Sequence, residues 1–381
     1  MQSSFRLVLT SAVVSGITSF LVSAAVIAPQ LSTKSQLAAQ TSSVGSVAVP
    51  LAEGDIVQTV QKSEPAVVSV IISKNLPVIE REWSFDDFFN REVPSIRENG
   101  TRLMEIGGGT AFFVSSDGLL MTNKHVVSDP SAQYTVLLND GRKLAATVVG
   151  RDPMNDIALL KVDGSGFPFL TLAESEPVLG QSVIAIGNAL GEFRNTVSVG
   201  VVSGLQRDIL AGNPAIGQAE HLSRILQTDA AINEGNSGGP LLDRSGAVIG
   251  MSTAVATNAQ NIGFAIPVMD LTTVLKSYQQ YGHIVRPYIG VRYTTVEQGN
   301  LVSAGESTTE SAVLPNSPAA KAGLQANDII TAVDGQPITS EFNLSDAIQR
   351  KLPGDTVSLT ILRDGKEQTI RVTLTEWKEE A

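Results

Sequence analysis

From residue 66 onward the apolar positions fall into short β-branched runs: AVVSVII, GTAFFVSSDGLLMTN, YTVLLNDGRKLAATVVG, IALLKV, SVIAIGN, VSVGVVSGL, AVIGMSTAVA and IGFAIPV. Turn signals such as SDG, NDG and RSG separate them. Many short strands at close spacing predict an all-β barrel or sandwich. No long helical periodicity interrupts them until residues 268–281. Beyond that helix, VSLTILRDG and EQTIRVTLTE read as strands and 318–322 and 344–351 as short helices. Residues 283–377 therefore form a small α+β module, near the lower size limit for independent folding.

Two stretches depart from this pattern. Residues 7–28 carry no charge, follow Arg6 and end at Pro29. That is long enough to cross a bilayer as a helix and longer than the apolar part of most cleaved signals. The expectation is a retained membrane anchor over 1–28, with cleavage near Ser23, Ala24 and Ala25 as the alternative. A Ser-, Ala- and Gln-rich flexible linker is expected over 29–62 and a strand-rich domain over 63–282. Within that domain, 75–105 mixes charges with four aromatics and reads as an irregular loop, either a disordered insertion or a regulatory element.

Composition narrows the chemistry. A formal net charge of -11 gives no electrostatic footprint for nucleic acid. The absence of cysteine removes thiolate metal sites and thiol nucleophiles. Three scattered histidines offer no HExxH helix, and no P-loop occurs. No cofactor or metal is expected.

The most specific string is QTDAAINEGNSGGPLLD, which sets Ser237 among Gly235, Gly238 and Gly239. A serine hydroxyl attacks an amide only when a base takes its proton and preorganised donors meet the oxyanion. Ser237 is the candidate nucleophile, and the N–H groups of Gly235 and Ser237 are the candidate oxyanion donors. A glycine-rich turn between strands would look the same in isolation. His125, in GLLMTNKHVVSD, is the candidate general base. Asp156, in RDPMNDIALLKV, is the candidate to orient it, with Asp152 a rival. The order His, Asp, Ser is that of chymotrypsin-like enzymes, in keeping with an all-β domain.

Together TNKHVV, DPMNDIALLKV, QTDAAINEGNSGGPLL and IGFAIPV resemble the HtrA/Deg family of serine proteases, from about residue 66 to the C-terminus. The resemblance implies a mainly β chymotrypsin-like pair of six-stranded barrels followed by a PDZ domain. It also implies an ATP-independent serine endopeptidase of the cell envelope, facing the periplasm or exterior and assembled as a homotrimer. In such a fold Ala231, Ile232 and Asn233, with Ile262, Gly263 and Phe264, line the primary pocket. None is acidic, so cleavage is expected after small aliphatic residues rather than Lys or Arg.

PYIGV resembles a PDZ carboxylate-binding loop, so Tyr288, Ile289, Gly290 and Val291 are expected to capture a peptide C-terminus. Family analogy makes 206–224 the loop through which such peptides regulate the protease, with Arg207 the candidate contact. Glu234 departs from the proline of many relatives and is expected to face solvent. A PDZ-dependent chaperone and a dedicated signalling protease are the competing functional readings.

Overall fold

The computed structural model describes residues 53–86, 91–189, 193–213, 218–233, 235–255, 261–297, 299–303, 311–339 and 342–378. The expected anchor over 1–28 and the position of Glu234 lie outside these residues. Among the described residues, no helix is long and apolar enough to cross a membrane.

The first closed barrel comprises β1 (Val67–Asp86), β2 (Arg91–Phe113), β3 (Leu119–Thr122), β4 (Gln133–Leu137), β5 (Lys143–Arg151) and β6 (Ala158–Val162). The second comprises β7 (Ser182–Ala189), β8 (Phe193–Asn213), β9 (Gln218–Thr228), β10 (Pro240–Leu242), β11 (Val248–Val255) and β12 (Gly263–Pro267). Val68, Phe113, Leu120 and Leu160 fill the first interior, and Val183, Val202, Leu241 and Ile249 the second. Their chain neighbours Phe112, Met121, Leu159 and Ile184 point the other way, into a third apolar layer shared by the barrels. Strands buried on both faces need continuous apolar runs, which is why AFFV, LLMT and IALL show no polar alternation. Each fully buried Phe or Leu in that layer contributes roughly 1.5–3 kcal/mol.

Two expected irregular stretches are regular. Residues 75–105 belong to a long hairpin in which β1 and β2 remain paired from Val67↔Phe112 out to Asp86↔Arg91, with two register shifts. Backbone pairing of this kind satisfies N–H and C=O groups whatever the side chains, so it needs no hydrophobic alternation in the sequence. The linker expected to reach residue 62 is replaced from residue 53 by helix α1 (Glu53–Ser63). The Thr59 hydroxyl donates to the Arg244 carbonyl at 2.8 Å, and Arg244 pairs with Asp55 at 2.9 Å, docking α1 on the turn between β10 and β11.

Helix α2 (Val268–Tyr281) follows β12 and ends at Gly282, whose φ of 76° is the left-handed cap that only glycine adopts freely. The C-terminal module follows, with short strands β13 (Pro287–Tyr288), β14 (Tyr293–Val296), β15 (Gly299–Val302), then β16 (Ile329–Val333) and β17 (Gln336–Pro337). It closes with β18 (Thr356–Arg363), β19 (Lys366–Thr373) and β20 (Thr375–Glu376), and adds helices α3 (Pro318–Ala322) and α4 (Leu344–Gln349). Strand β15 is only four residues long, GNLV, and pairs with β14 and β16. Its Asn300 is fully buried, and the Asn300 side-chain oxygen accepts from the Leu344 N–H at 2.8 Å, so a polar residue fixes α4 to the sheet.

Charged residues tie the module to the barrels. Arg286, itself buried, donates through Nε to Asp152 Oδ1 at 2.8 Å and through Nη2 to Asp152 Oδ2. Arg224 of β9 reaches Asp270 of α2 at 3.1 Å and Asp346 of α4 at 3.0 Å. Arg350 meets Glu176 at 3.1 Å.

Candidate active site

β3 delivers the chain to Asn123, and the single turn His125–Val127 that follows presents the imidazole at the junction of the barrels. β5 and β6 are joined by the turn carrying Asp152 and Asp156. The Asn123 amide donates to the Asp156 carbonyl at 2.9 Å, locking the two turns together. Asp156 Oδ1 then accepts from the His125 N–H at 2.9 Å, while Oδ2 lies 2.7 Å from His125 Nδ1. The His125 side chain is 46% exposed and that of Asp156 only 2%. A buried carboxylate thus holds one imidazole nitrogen while nearly half of the side chain stays exposed.

Asp152, the rival, is occupied elsewhere by Arg286. The two acids of one turn thus have different partners, His125 for Asp156 and Arg286 for Asp152.

Ser237 reaches the same cleft from the second barrel. Its hydroxyl donates to the Thr253 carbonyl at 3.3 Å, and the Thr253 hydroxyl donates to Asp156 Oδ2 at 2.7 Å. One residue of β11 therefore touches both Ser237 and the acid. A Cβ placed on Gly109 would fall 2.8 Å from Val126 and 3.4 Å from the Ser237 carbonyl, which shows how closely the His125 turn and the Ser237 turn approach. Thr253 has no motif of its own in the sequence. Its only trace is a Ser-Thr pair breaking the apolar run of AVIGMSTAVA.

Gly235 has a φ of 97°, and Gly238 of 83°. A side chain on Gly238 would collide with the Thr110 carbonyl and the Thr122 hydroxyl, so glycine is required there for both conformation and space. Among the described residues the N–H groups of Gly235 and Ser237 take no protein acceptor. Donors in that state can receive an oxyanion.

The expected pocket residues divide. Ile232 is buried, and its Cγ1 lies 2.6 Å from where a Cβ on Gly263 would stand, so these two meet face to face. Ala231 and Asn233 flank Ile232 and are exposed. Ile262 and Phe264 sit on the alternate face of the strand, packed with Leu222 and Ile225.

In the C-terminal module, the Ile289 carbonyl accepts from Ala319 N–H at 2.9 Å and the Gly290 carbonyl from Leu314 N–H at 3.0 Å. The carbonyls of this turn are satisfied inward. The N–H groups of Ile289, Gly290 and Val291 take no protein acceptor among the described residues. Tyr288, just before them, pairs with Thr375. β14 is the edge strand beside this turn, and the hydroxyl of its Tyr293 donates to the Asn343 side-chain oxygen at 3.1 Å. Residues 206–224, expected as a loop, are mostly the β8–β9 hairpin, and Arg224 rather than Arg207 makes the ties to α4. Arg207 lines a cavity of 790 Å³ between this hairpin and α4.

Residues 109–251 match the trypsin-like peptidase domain and 287–374 the PDZ domain. A protein of Bartonella henselae, described as a probable periplasmic serine endoprotease, DegP-like, is 36% identical over 84% of this chain and 68% of its own length. The chain belongs to the HtrA/Deg family. It is a serine endopeptidase with one PDZ domain. A DegP-like relative from Halomonas elongata is 34% identical over 85% of this chain and 71% of its own length. Among solved structures, the HtrA-type protease AlgW with a decapeptide superposes with a TM-score of 0.63 at 30% identity, covering 85% of this chain and 99% of that one. The serine endoprotease of Yersinia pestis gives 0.55 at 30% identity, over 84% and 97% of the two chains.

Proposed function

We propose that His125, Asp156 and Ser237 form the catalytic triad of an envelope endopeptidase that cuts after small aliphatic residues and is regulated by C-terminal peptides. The observation that carries the reading is the chain of contacts from His125 through Asp156 and Thr253 to Ser237 across the barrel junction. His125 takes the Ser237 proton as the hydroxyl attacks the scissile carbonyl, and later gives it to the leaving amine. Asp156 fixes the tautomer and stabilises the imidazolium. The N–H groups of Gly235 and Ser237 receive the negative oxygen.

The contact of Ile232 with Gly263 supports a shallow primary pocket. Val, Ala or Ile fits such a pocket, while a long or charged side chain does not. Peptide substrates differing only at the residue before the cut test this. Expected is kcat/KM at least tenfold higher for Val than for Lys or Phe; equal rates would refute the assignment of the pocket.

Peptide capture rests on the inward-satisfied carbonyls of residues 289–290, which leave N–H groups for a terminal carboxylate, with β14 as the edge to which a peptide adds as a strand. Regulation rests on α4, which borders that edge and also contacts Arg224. A peptide seated there shifts α4 and with it the β8–β9 hairpin. Turnover that ignores a peptide shown to bind excludes this coupling. The uncharged stretch 7–28 and the periplasmic relatives support a membrane-retained protein facing the periplasm. Release into the soluble fraction in alkaline carbonate would contradict retention. A homotrimer accords with the family and is read by light scattering of the purified chain.

A further inference from the structure

Thr110 sits where the glycines of β2 give way to its apolar run, and it is fully buried. A threonine there has an N–H, a carbonyl and a hydroxyl to satisfy without water. All are used, and two of the four bonds run to the turn of the nucleophile. The Thr110 N–H donates to the Ser237 carbonyl at 2.9 Å. Its carbonyl accepts from the Thr122 hydroxyl at 2.7 Å. Its hydroxyl donates to the Gly235 carbonyl at 2.5 Å and accepts from the Asn188 N–H at 2.8 Å.

The two bonds to the turn bracket the candidate oxyanion donors. The peptide plane joining Gly235 to Asn236 is held at its oxygen by Thr110 and at its nitrogen by the Asn233 carbonyl, 3.0 Å away. The Gly235 N–H lies in the preceding peptide plane, joined to this one through a glycine at φ 97°, so anchoring the 235–236 plane fixes one side of that hinge. The Asn188 N–H orients the hydroxyl, so its proton points at Gly235 rather than at β7. Neighbouring space is closed as well, since a Cβ on Gly239 would lie 3.2 Å from Thr110 Cγ2.

We propose that Thr110 is a positioning residue for the oxyanion hole: its hydroxyl, bonded between Asn188 and Gly235, keeps the Gly235 N–H turned towards the oxygen of the tetrahedral intermediate. The inference rests on the reading of Ser237 as nucleophile and Gly235 as donor. It goes beyond that reading, because the hydroxyl of Thr110 touches neither substrate nor triad side chain. A donor held in advance stabilises the transition state and not the bound substrate, so the effect belongs to kcat.

The test uses the full chain with a peptide amide substrate and a matching peptidyl trifluoromethyl ketone, which adds to an active serine as a tetrahedral adduct. Thr110→Val removes the hydroxyl at nearly constant shape. Expected is a fall in kcat of about tenfold to a hundredfold, part of the loss seen when an oxyanion donor is deleted, with KM within about twofold. Ketone affinity falls in parallel, and Thr110→Ser restores both to within about threefold. Should the valine variant not fold, Thr110→Ala carries the same readouts. Unchanged kcat, a serine variant as impaired as the valine one, or a loss confined to KM overturns the inference. Ser237→Ala is run alongside. If it keeps turnover, the parent reading fails and this inference with it; if it is inert while Thr110→Val is unimpaired, only the role of Thr110 is lost.

Discussion

Asp152 and Asp156 occupy one turn and have opposite company. Asp156 accepts from the His125 backbone, the His125 ring and the Thr253 hydroxyl, while Asp152 is paired with Arg286. Replacing Asp156 by Asn leaves the volume intact but favours the wrong imidazole tautomer, and kcat is expected to fall about 10⁴-fold. Steady-state assays reading less than a tenfold loss would contradict its role. Thr253→Val deletes a hydrogen bond to an ionised acceptor, for which a loss of roughly tenfold to a hundredfold in kcat is expected, with Thr253→Ser close to wild type. At this scale His125, Asp156, Ser237 and the glycines of the nucleophile turn were legible, because each sits in a string with its own chemistry. The pairing of Asp152 with Arg286, and the hydrogen bonds of Thr253 and Thr110, were not. Those depend on strands that meet only after folding, and a buried threonine in an apolar run looks like any other.

Among elements, pattern and structure agree where burial imposes a period. The barrel strands and α2 lie where their apolar runs predict, because both faces of the former and one face of the latter are buried. The outer β1–β2 ribbon, α1 and β15 carry no long apolar run: backbone pairing joins the two strands of the ribbon, α1 sets Ile56 and Val60 against the shared layer and is tied by Thr59, and β15 sets Val302 in the module's core beside the buried Asn300. The seam shows the same limit: family analogy points to Arg207, whereas Arg224 is the residue that reaches Asp270 and Asp346. The Asp152–Arg286 pair allows a direct energetic test. Arg286→Met alone strands a buried carboxylate and is expected to cost about 3–5 kcal/mol in urea unfolding. Combining it with Asp152→Leu is expected to recover most of that loss. No recovery in the double variant would show that Arg286 stabilises by packing and not through its charge.

For the whole molecule, the seam makes stability depend on pH. Burial raises the Asp270 carboxyl above its ordinary value, against the opposing Arg224 guanidinium, and burial raises Glu176 against Arg350. A raised carboxyl binds its proton more tightly folded than unfolded. Its contribution to stability is therefore full below the ordinary carboxylate value and is lost as pH rises through the raised one. Asp117 and Asp140 act in the opposite sense in a separate window, being held below the ordinary value by Lys161 and by the Arg142 backbone N–H respectively. Unfolding free energy is expected to decline as pH climbs just above the ordinary carboxylate range, and Asp270→Asn to flatten that decline. A slope unaffected by the substitution would place its origin elsewhere.

Delivery of a reactive serine to one histidine by two barrels is tested most directly by covalent labelling. The purified chain is treated with a fluorophosphonate, digested, and the modified residue located by mass spectrometry. Expected is a single adduct on Ser237 that disappears in Ser237→Ala and forms far more slowly in His125→Ala. An adduct on another residue, or undiminished labelling of Ser237→Ala, would contradict it.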